Sequence, residues 1–251
     1  MKIWVHDRLV DDSSPYLDSS GWPKDFGLFE TMRTESGRVQ LLARHMRRVI
    51  SRAKILDIAV PNEDVISDAV EELLECEPHE IGRLRFTFSR EGFIATHQGY
   101  VDQLLPFRVT THLVSVHLPG RRDKSYPYTS NLDLLEKALQ SGFDELIIIG
   151  EDGRVTEGAT SNYIFRVDGR WVTPPMSAGL LPGVIRALAV EECGVAVRDI
   201  QQEDLGRCDA AIIMSSLKIA RPVSIIDGRS LAIDSDVELI CSKLRHLATT
   251  L

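Results

Sequence analysis

The sequence predicts an α+β fold in two parts, on three observations. Strand-like alternation and helix-period segments fill the first 117 residues. A break rich in turn formers, Leu118-Pro-Gly-Arg-Arg-Asp123, follows. A second set of short β-branched strands interspersed with helices then runs to the end of the chain. The expected division is an N-terminal α+β domain over 1–117, a linker over 118–123 and a C-terminal α+β domain over 124–251.

In the first part, Lys2-Ile-Trp-Val reads as a short strand and Val10 to Gly21 as a polar loop. Phe26 to Arg33 alternates as a strand, and Ser36-Gly37 turns it back through Val39 as a hairpin. Met46, Val49, Ile50, Ala53 and Leu56 recur at helical spacing over 45–56. Pro61-Asn-Glu-Asp opens a second helix over 63–75. Arg83 to Ser89 and Arg108 to Val116 read as strands, with Gly92 to Leu105 a connection able to reach over a site.

The second part opens on the most informative stretch, Lys124 to Asn162. After the lysine comes a helix with Leu132, Leu135, Ala138 and Leu139 on one face, stopped by Gly142. Leu146 to Ile149 is a buried strand, Glu151-Asp-Gly153 a turn, and Val155-Thr-Glu157 the return. Glu157 therefore sits at an interior position, where an unpaired carboxylate is costly and calls for a cationic partner. Tyr163 to Val167 and Trp171 to Pro175 form a hairpin about Asp168-Gly169. A helix over 179–192, strands at 195–197, 210–213 and 222–226, and a helix over 236–248 complete the chain.

Composition excludes several classes. The 251 residues are 43% hydrophobic and 26% charged, as in a soluble globular protein. A formal net charge of −8 argues against a nucleic-acid surface. The N-terminus lacks a signal-peptide core, no apolar run is long enough to span a membrane, and four scattered cysteines lack metal-ligand spacing. A cytoplasmic protein without a metal is the expectation. Only seven lysines occur, and of these Lys54 and Lys137 lie on solvated helix faces.

The order lysine, helix, Gly142-Phe-Asp-Glu, strand, Asp152-Gly-Arg-Val-Thr-Glu-Gly-Ala-Thr-Ser-Asn162 resembles class IV of the pyridoxal-phosphate (PLP) enzymes. That family includes branched-chain aminotransferases, D-amino-acid transaminases and 4-amino-4-deoxychorismate lyases. The resemblance covers nearly the whole chain and implies the two-domain fold type IV, with a cofactor cleft between the domains. It implies that Lys124 carries PLP as a Schiff base and that Glu157 keeps the pyridine nitrogen protonated, the anchor and electron-sink pair this chemistry requires. Lys218, in Met214-Ser-Ser-Leu-Lys218, is the nearest rival anchor.

The resemblance further implies three phosphate-binding segments. His45-Met-Arg-Arg48 matches a His-x-x-Arg helix whose arginine grips phosphate, making Arg48 the match and Arg47 the alternative in a shifted register. Leu181-Pro-Gly-Val-Ile-Arg186 would offer the main-chain N–H groups of Val184 and Ile185 at a helix N-terminus. Met214-Ser-Ser-Leu217 would offer the Ser216 hydroxyl and the Leu217 N–H. In some relatives a tyrosine shortly after the lysine bonds the PLP phenolic oxygen. Tyr128 matches it, although Tyr126 and Tyr128 equally suit packing, because Ser125-Tyr-Pro-Tyr128 departs from the usual run.

For substrate, Phe29-Glu-Thr31 resembles the lyase form of its motif, and Arg85 matches a basic position that some relatives use for a substrate carboxylate. The segment from Glu91 has only His97 in place of the Arg-x-His trap of D-amino-acid transaminases. The resemblance thus points first to a 4-amino-4-deoxychorismate lyase, which makes the folate precursor 4-aminobenzoate and pyruvate. An amino-acid aminotransferase of branched-chain type is second, and a non-catalytic scaffold of the same fold is a remote third. A small-molecule amino substrate and a homodimer are the implied partners.

Overall fold

In a computed structural model, which describes residues 2–11, 13, 15–114 and 123–250, strand alternation builds the first sheet around Gly27–Glu35 (β3). The other strands of this sheet are Ile3–Val5 (β1), Arg8–Val10 (β2), Arg38–Val39 (β4), Ile81–Ser89 (β5), Gly92–Gly99 (β6) and Ser125–Tyr126 (β8). Their order is β2-β1-β6-β5-β3-β4, with β8 pairing β3, and all pairs are antiparallel. One face carries Leu28, Met32, Leu84, Phe86, Phe88 and Phe93. Against them pack Val49 and Ala53 of helix α1 (Leu42–Leu56) and Ile66, Ala69 and Leu73 of α2 (Glu63–Cys76). Asn62 caps α2, its side chain accepting from Val65 N at 3.0 Å.

The second unit is built on Glu145–Gly150 (β9), whose Leu-Ile-Ile-Ile run is buried on both faces although it ends the strand order, with Val155 bridging Ile149 antiparallel on its other side. It pairs in parallel with Phe107–Val114 (β7), which pairs in parallel with Ile219–Ile226 (β14). Asn162–Val167 (β10), Arg170–Thr173 (β11), Ala196–Val197 (β12) and Cys208–Ser215 (β13) complete the order β12-β11-β10-β13-β14-β7-β9, and Arg229–Ser230 (β15) pairs β14. Helices α3 (Thr129–Gln140), α4 (Val184–Glu192), α5 (Gln202–Arg207) and α6 (Ser235–Thr250) belong to this unit.

Three expectations are corrected. The two units are Met1–Asp102 with Asp123–Tyr128, and Gln103–Arg122 with Thr129–Leu251, not a division at 117. The reason is pairing between residues far apart in sequence: β7 belongs to the second sheet, while Ser125–Tyr126 joins the first, so Lys124 sits in the first unit. Residues 118–122 of the expected linker lie outside the described residues. The stretch after Gly92 is not a free connection but strand β6, with Phe93, Ala95 and His97 turned inward. Helix α3 buries Asn131, Leu134 and Ala138 and exposes Leu132 and Leu139. Asn131 turns in because its amide donates to Ala159 O at 2.6 Å, which rotates the apolar face. No helix among the described residues is long and apolar enough to cross a membrane.

Candidate active site

Phe29, Thr31 and Arg33 alternate on the face of β3 opposite the helices. Lys124 is held beside Phe29: its carbonyl accepts Phe29 N at 2.9 Å, and Tyr126 pairs with Gly27. Gly27 is needed here, since a Cβ would fall 2.2 Å from Phe88 O and 2.5 Å from the Tyr126 hydroxyl. The lysine adopts φ 41°, a left-handed conformation that costs a non-glycine residue about 1–3 kcal/mol. Its Nζ lies 4.3 Å from the Phe29 ring centroid and 5.6 Å from that of Tyr128. Tyr128 also packs edge-on to Phe29 at 5.0 Å, whereas Tyr126 is buried and stacked on Trp22.

On the other face of β3, Glu30 is buried and accepts from Arg48 Nε at 2.7 Å, Arg48 Nη2 at 2.5 Å and His45 Nδ1 at 2.7 Å. Arg48 points inward while Arg47 is exposed. The fork of Arg48 is thus oriented by a carboxylate, and neither Glu30 nor the inward His45 was assigned a role from sequence. Burial opposes the charge on Glu30, but Arg48 and His45 outweigh it and hold the carboxyl at about 2. Burial keeps the His45 pKa below its ordinary value of 6.5 against the pull of Glu30.

Both groups bind protons less readily folded than unfolded, so stability is full above about pH 6.5 and declines as pH falls, further below about 4.5 as Glu30 protonates in the unfolded chain. Glu30→Gln should therefore lose about 1.5–3 kcal/mol at pH 7 and show a flatter acid limb in urea unfolding between pH 6.5 and 3. An acid limb as steep as that of the wild type would contradict this role.

Arg85 stands opposite Thr31 in the β3–β5 register, and its guanidinium lies 4.0 Å from the Trp22 ring centroid. Its Nε is buried without a hydrogen-bond partner. Desolvation, reinforced by the neighbouring cation Arg83, pushes its pKa down to about 10. Trp22 in turn meets Phe29 edge-on at 4.8 Å. The rings of Trp22, Phe29, Tyr126 and Tyr128 therefore link the Arg85 guanidinium to the Lys124 amine. His97 faces the opposite way, with its Nδ1 donating to Glu77 O at 3.1 Å and its Nε2 2.8 Å from Thr34 Oγ1.

In the second unit Glu157 is buried. Its Oε2 accepts from Asn162 Nδ2 at 3.2 Å and from Leu181 N at 2.9 Å, two neutral donors. Burial pushes the pKa of Arg186 below its ordinary value, and the Glu157 charge acts in the opposite sense. Gly183 caps α4 without a side chain, and a Cβ there would fall 1.8 Å from Asn162 Oδ1. Only glycine lets the backbone approach Asn162 this closely. Val184 and Ile185 follow as the first residues of α4, and Ser216 and Leu217 lie in the turn between β13 and β14. Lys218 Nζ contacts Ser161 Oγ at 3.0 Å and Thr160 Oγ1 at 3.3 Å, and lies 3.9 Å from Glu145 Oε2.

The sequence pattern of amino-transferase class IV matches residues 27–226, most of the chain. The chain belongs to this family. It is similar to a D-alanine aminotransferase of Bacillus licheniformis, with 24% identity over 92% of this chain and 90% of the relative. A bifunctional aminodeoxychorismate lyase / D-amino acid transaminase of Mycobacterium tuberculosis is 25% identical over 92% and 93%. Among solved structures, a hypothetical aminotransferase from M. tuberculosis in its PLP-bound form aligns with a TM-score of 0.85 at 20% identity, covering 100% of this chain and 99% of that one.

As a class IV aminotransferase-family protein, the chain is a PLP-dependent enzyme of the two-domain α+β fold type IV, acting on small amino substrates. Its residues fit that cofactor. Glu157, a buried carboxylate, is the kind of group that suits a protonated ring nitrogen. The side-chain-free cap of α4 suits a phosphate, which backbone N–H groups at a helix N-terminus attract. In the first unit, the Arg48 fork oriented by Glu30 is a group of the kind that binds phosphate oxygens.

Proposed function

We propose that this enzyme is a 4-amino-4-deoxychorismate lyase, releasing 4-aminobenzoate and pyruvate. The observation that carries the reading is Arg85: a desolvated guanidinium with an unpartnered buried Nε, stacked on Trp22 and joined through aromatic rings to the Lys124 amine. A buried cation of this kind calls for an anion, and the substrate bears carboxylates on its cyclohexadiene ring and its enolpyruvyl arm. Thr31, opposite Arg85, belongs to the lyase-like form of its motif. The inward turn of His97 leaves no Arg-x-His trap for a D-amino acid on this strand.

In this reading Lys124 anchors PLP and Glu157 holds its ring nitrogen protonated, while Arg48, Val184, Ile185, Ser216 and Leu217 bind its phosphate. Tyr128, which shares Phe29 with the lysine, stands near the amine. The bound cofactor supplies an electron sink for the substrate carbon that bears the amine. Lys124 Nζ, released once the substrate amine takes its place, would take the proton from that carbon. The electron pair left behind aromatises the ring as the C–O bond to the enolpyruvyl group breaks, and the departing enolate gains a proton to become pyruvate. Arg85 binds a substrate carboxylate, and the surrounding rings exclude water.

The test is a product assay with PLP-loaded protein, aminodeoxychorismate and no keto acid. Equal amounts of 4-aminobenzoate and pyruvate are expected over many turnovers. If 4-aminobenzoate does not form, and an amino acid is converted only when a keto acid is supplied, the enzyme is an aminotransferase.

A further inference from the structure

Lys218 carries out no step in the chemistry above, yet its side chain is only 17% exposed and its amine is committed to a buried network. Glu145, the first residue of β9, is fully buried. Its Oε1 accepts from Leu146 N at 3.1 Å and Ala159 N at 3.0 Å. Its Oε2 accepts from Thr160 N at 3.2 Å, Thr160 Oγ1 at 2.7 Å and Ser161 Oγ at 3.1 Å. Both hydroxyls spend their protons on Glu145 and so receive Lys218 as acceptors. Lys218 Nζ also lies 5.6 Å from the Phe107 ring.

This network joins two turns. One runs from Glu157 to Asn162 and is closed by Gly158 N donating to Ser161 O at 2.6 Å; its ends meet where Asn162 Nδ2 donates to Glu157. The other follows β13, carries Ser216 and Leu217, and is closed where Lys218 N donates to Ser215 Oγ at 3.2 Å. Replacing a buried ion pair with well-packed apolar residues is often neutral or stabilising, so a pair retained here fits a role in fixing one arrangement.

We infer that Lys218 and Glu145 are positioning residues that lock the turn bearing the ring-nitrogen carboxylate to the turn bearing the phosphate donors, setting the span between them before the cofactor arrives. This rests on the roles proposed above for Glu157 and for Ser216 and Leu217. A ligand that engages both turns depends on the lock, and a ligand that engages one does not.

The experiment is equilibrium dialysis of the full-length apoprotein with PLP, with pyridoxal and with inorganic phosphate, for the wild type, Lys218→Met and Ser216→Ala. Lys218→Met should weaken PLP about tenfold, the loss of one or two hydrogen bonds, and leave pyridoxal and phosphate within about twofold. Ser161→Ala, a smaller change that removes one link, should shift PLP in the same direction and covers the case in which Lys218→Met does not fold. Equal weakening of all three ligands, or no weakening of PLP, overturns the lock. If Ser216→Ala leaves both PLP and phosphate affinity unchanged, the phosphate assignment fails and the lock with it. If Ser216→Ala weakens both while the lysine variant does not discriminate, only the lock fails.

Discussion

Lys124→Ala is expected to lower turnover by about 10²- to 10⁴-fold, the range lost with a positioned proton-transfer group, and to remove the covalent retention of PLP. The structure makes the variant informative, because the backbone of Lys124, not its side chain, carries the bond to Phe29 N. Alanine at φ 41° keeps that bond, so the melting temperature of the apoprotein should change little. Circular dichroism of the apoprotein together with steady-state kinetics would separate lost chemistry from lost fold. Retained turnover in a folded Lys124→Ala protein would require a different amine, and the structure offers little room for Lys218 in that role. Its Nζ is engaged by Thr160, Ser161 and Glu145 in a network that would have to be dismantled first.

Glu157→Gln should lower kcat and PLP affinity each by roughly ten- to a hundredfold, the consequence of exchanging a charge-assisted hydrogen bond for a neutral one. Glutamine retains a carbonyl oxygen to accept from Asn162 Nδ2 and Leu181 N, so the turn should stay closed. The effect therefore isolates charge from shape. Equilibrium dialysis and kcat measured on the same preparation check it, and a Glu157→Gln enzyme with unchanged kcat would remove the carboxylate from the chemistry.

The elements that were legible in sequence are those whose signals are local. The β3–β4 hairpin follows from Ser36-Gly37, α2 from its Asn62 cap, and the buried β9 from its run of Leu146 to Ile149. Glu157 was legible as a carboxylate at an interior position, and the inward turn of Arg48 follows from helical spacing against Val49 and Ala53. What was not legible depends on residues far apart in the chain. Parallel pairing carries β7 into the second sheet, although the sequence around Arg108 says only that it is a strand. Glu30 and His45 lie fifteen residues apart and meet only because α1 packs on β3. Trp22 sits in a loop without periodicity and becomes informative only when its ring is found on Arg85. Glu145 was quoted in the Gly142-Phe-Asp-Glu motif, yet its bond network with Thr160, Ser161 and Lys218 has no local signature.

The most direct test of the account is borohydride reduction of the PLP-loaded protein followed by peptide mass mapping. The account predicts a single pyridoxyl-phosphate adduct on the peptide containing Lys124. An adduct on the peptide containing Lys218, or covalent labelling that persists in Lys124→Ala, would contradict it.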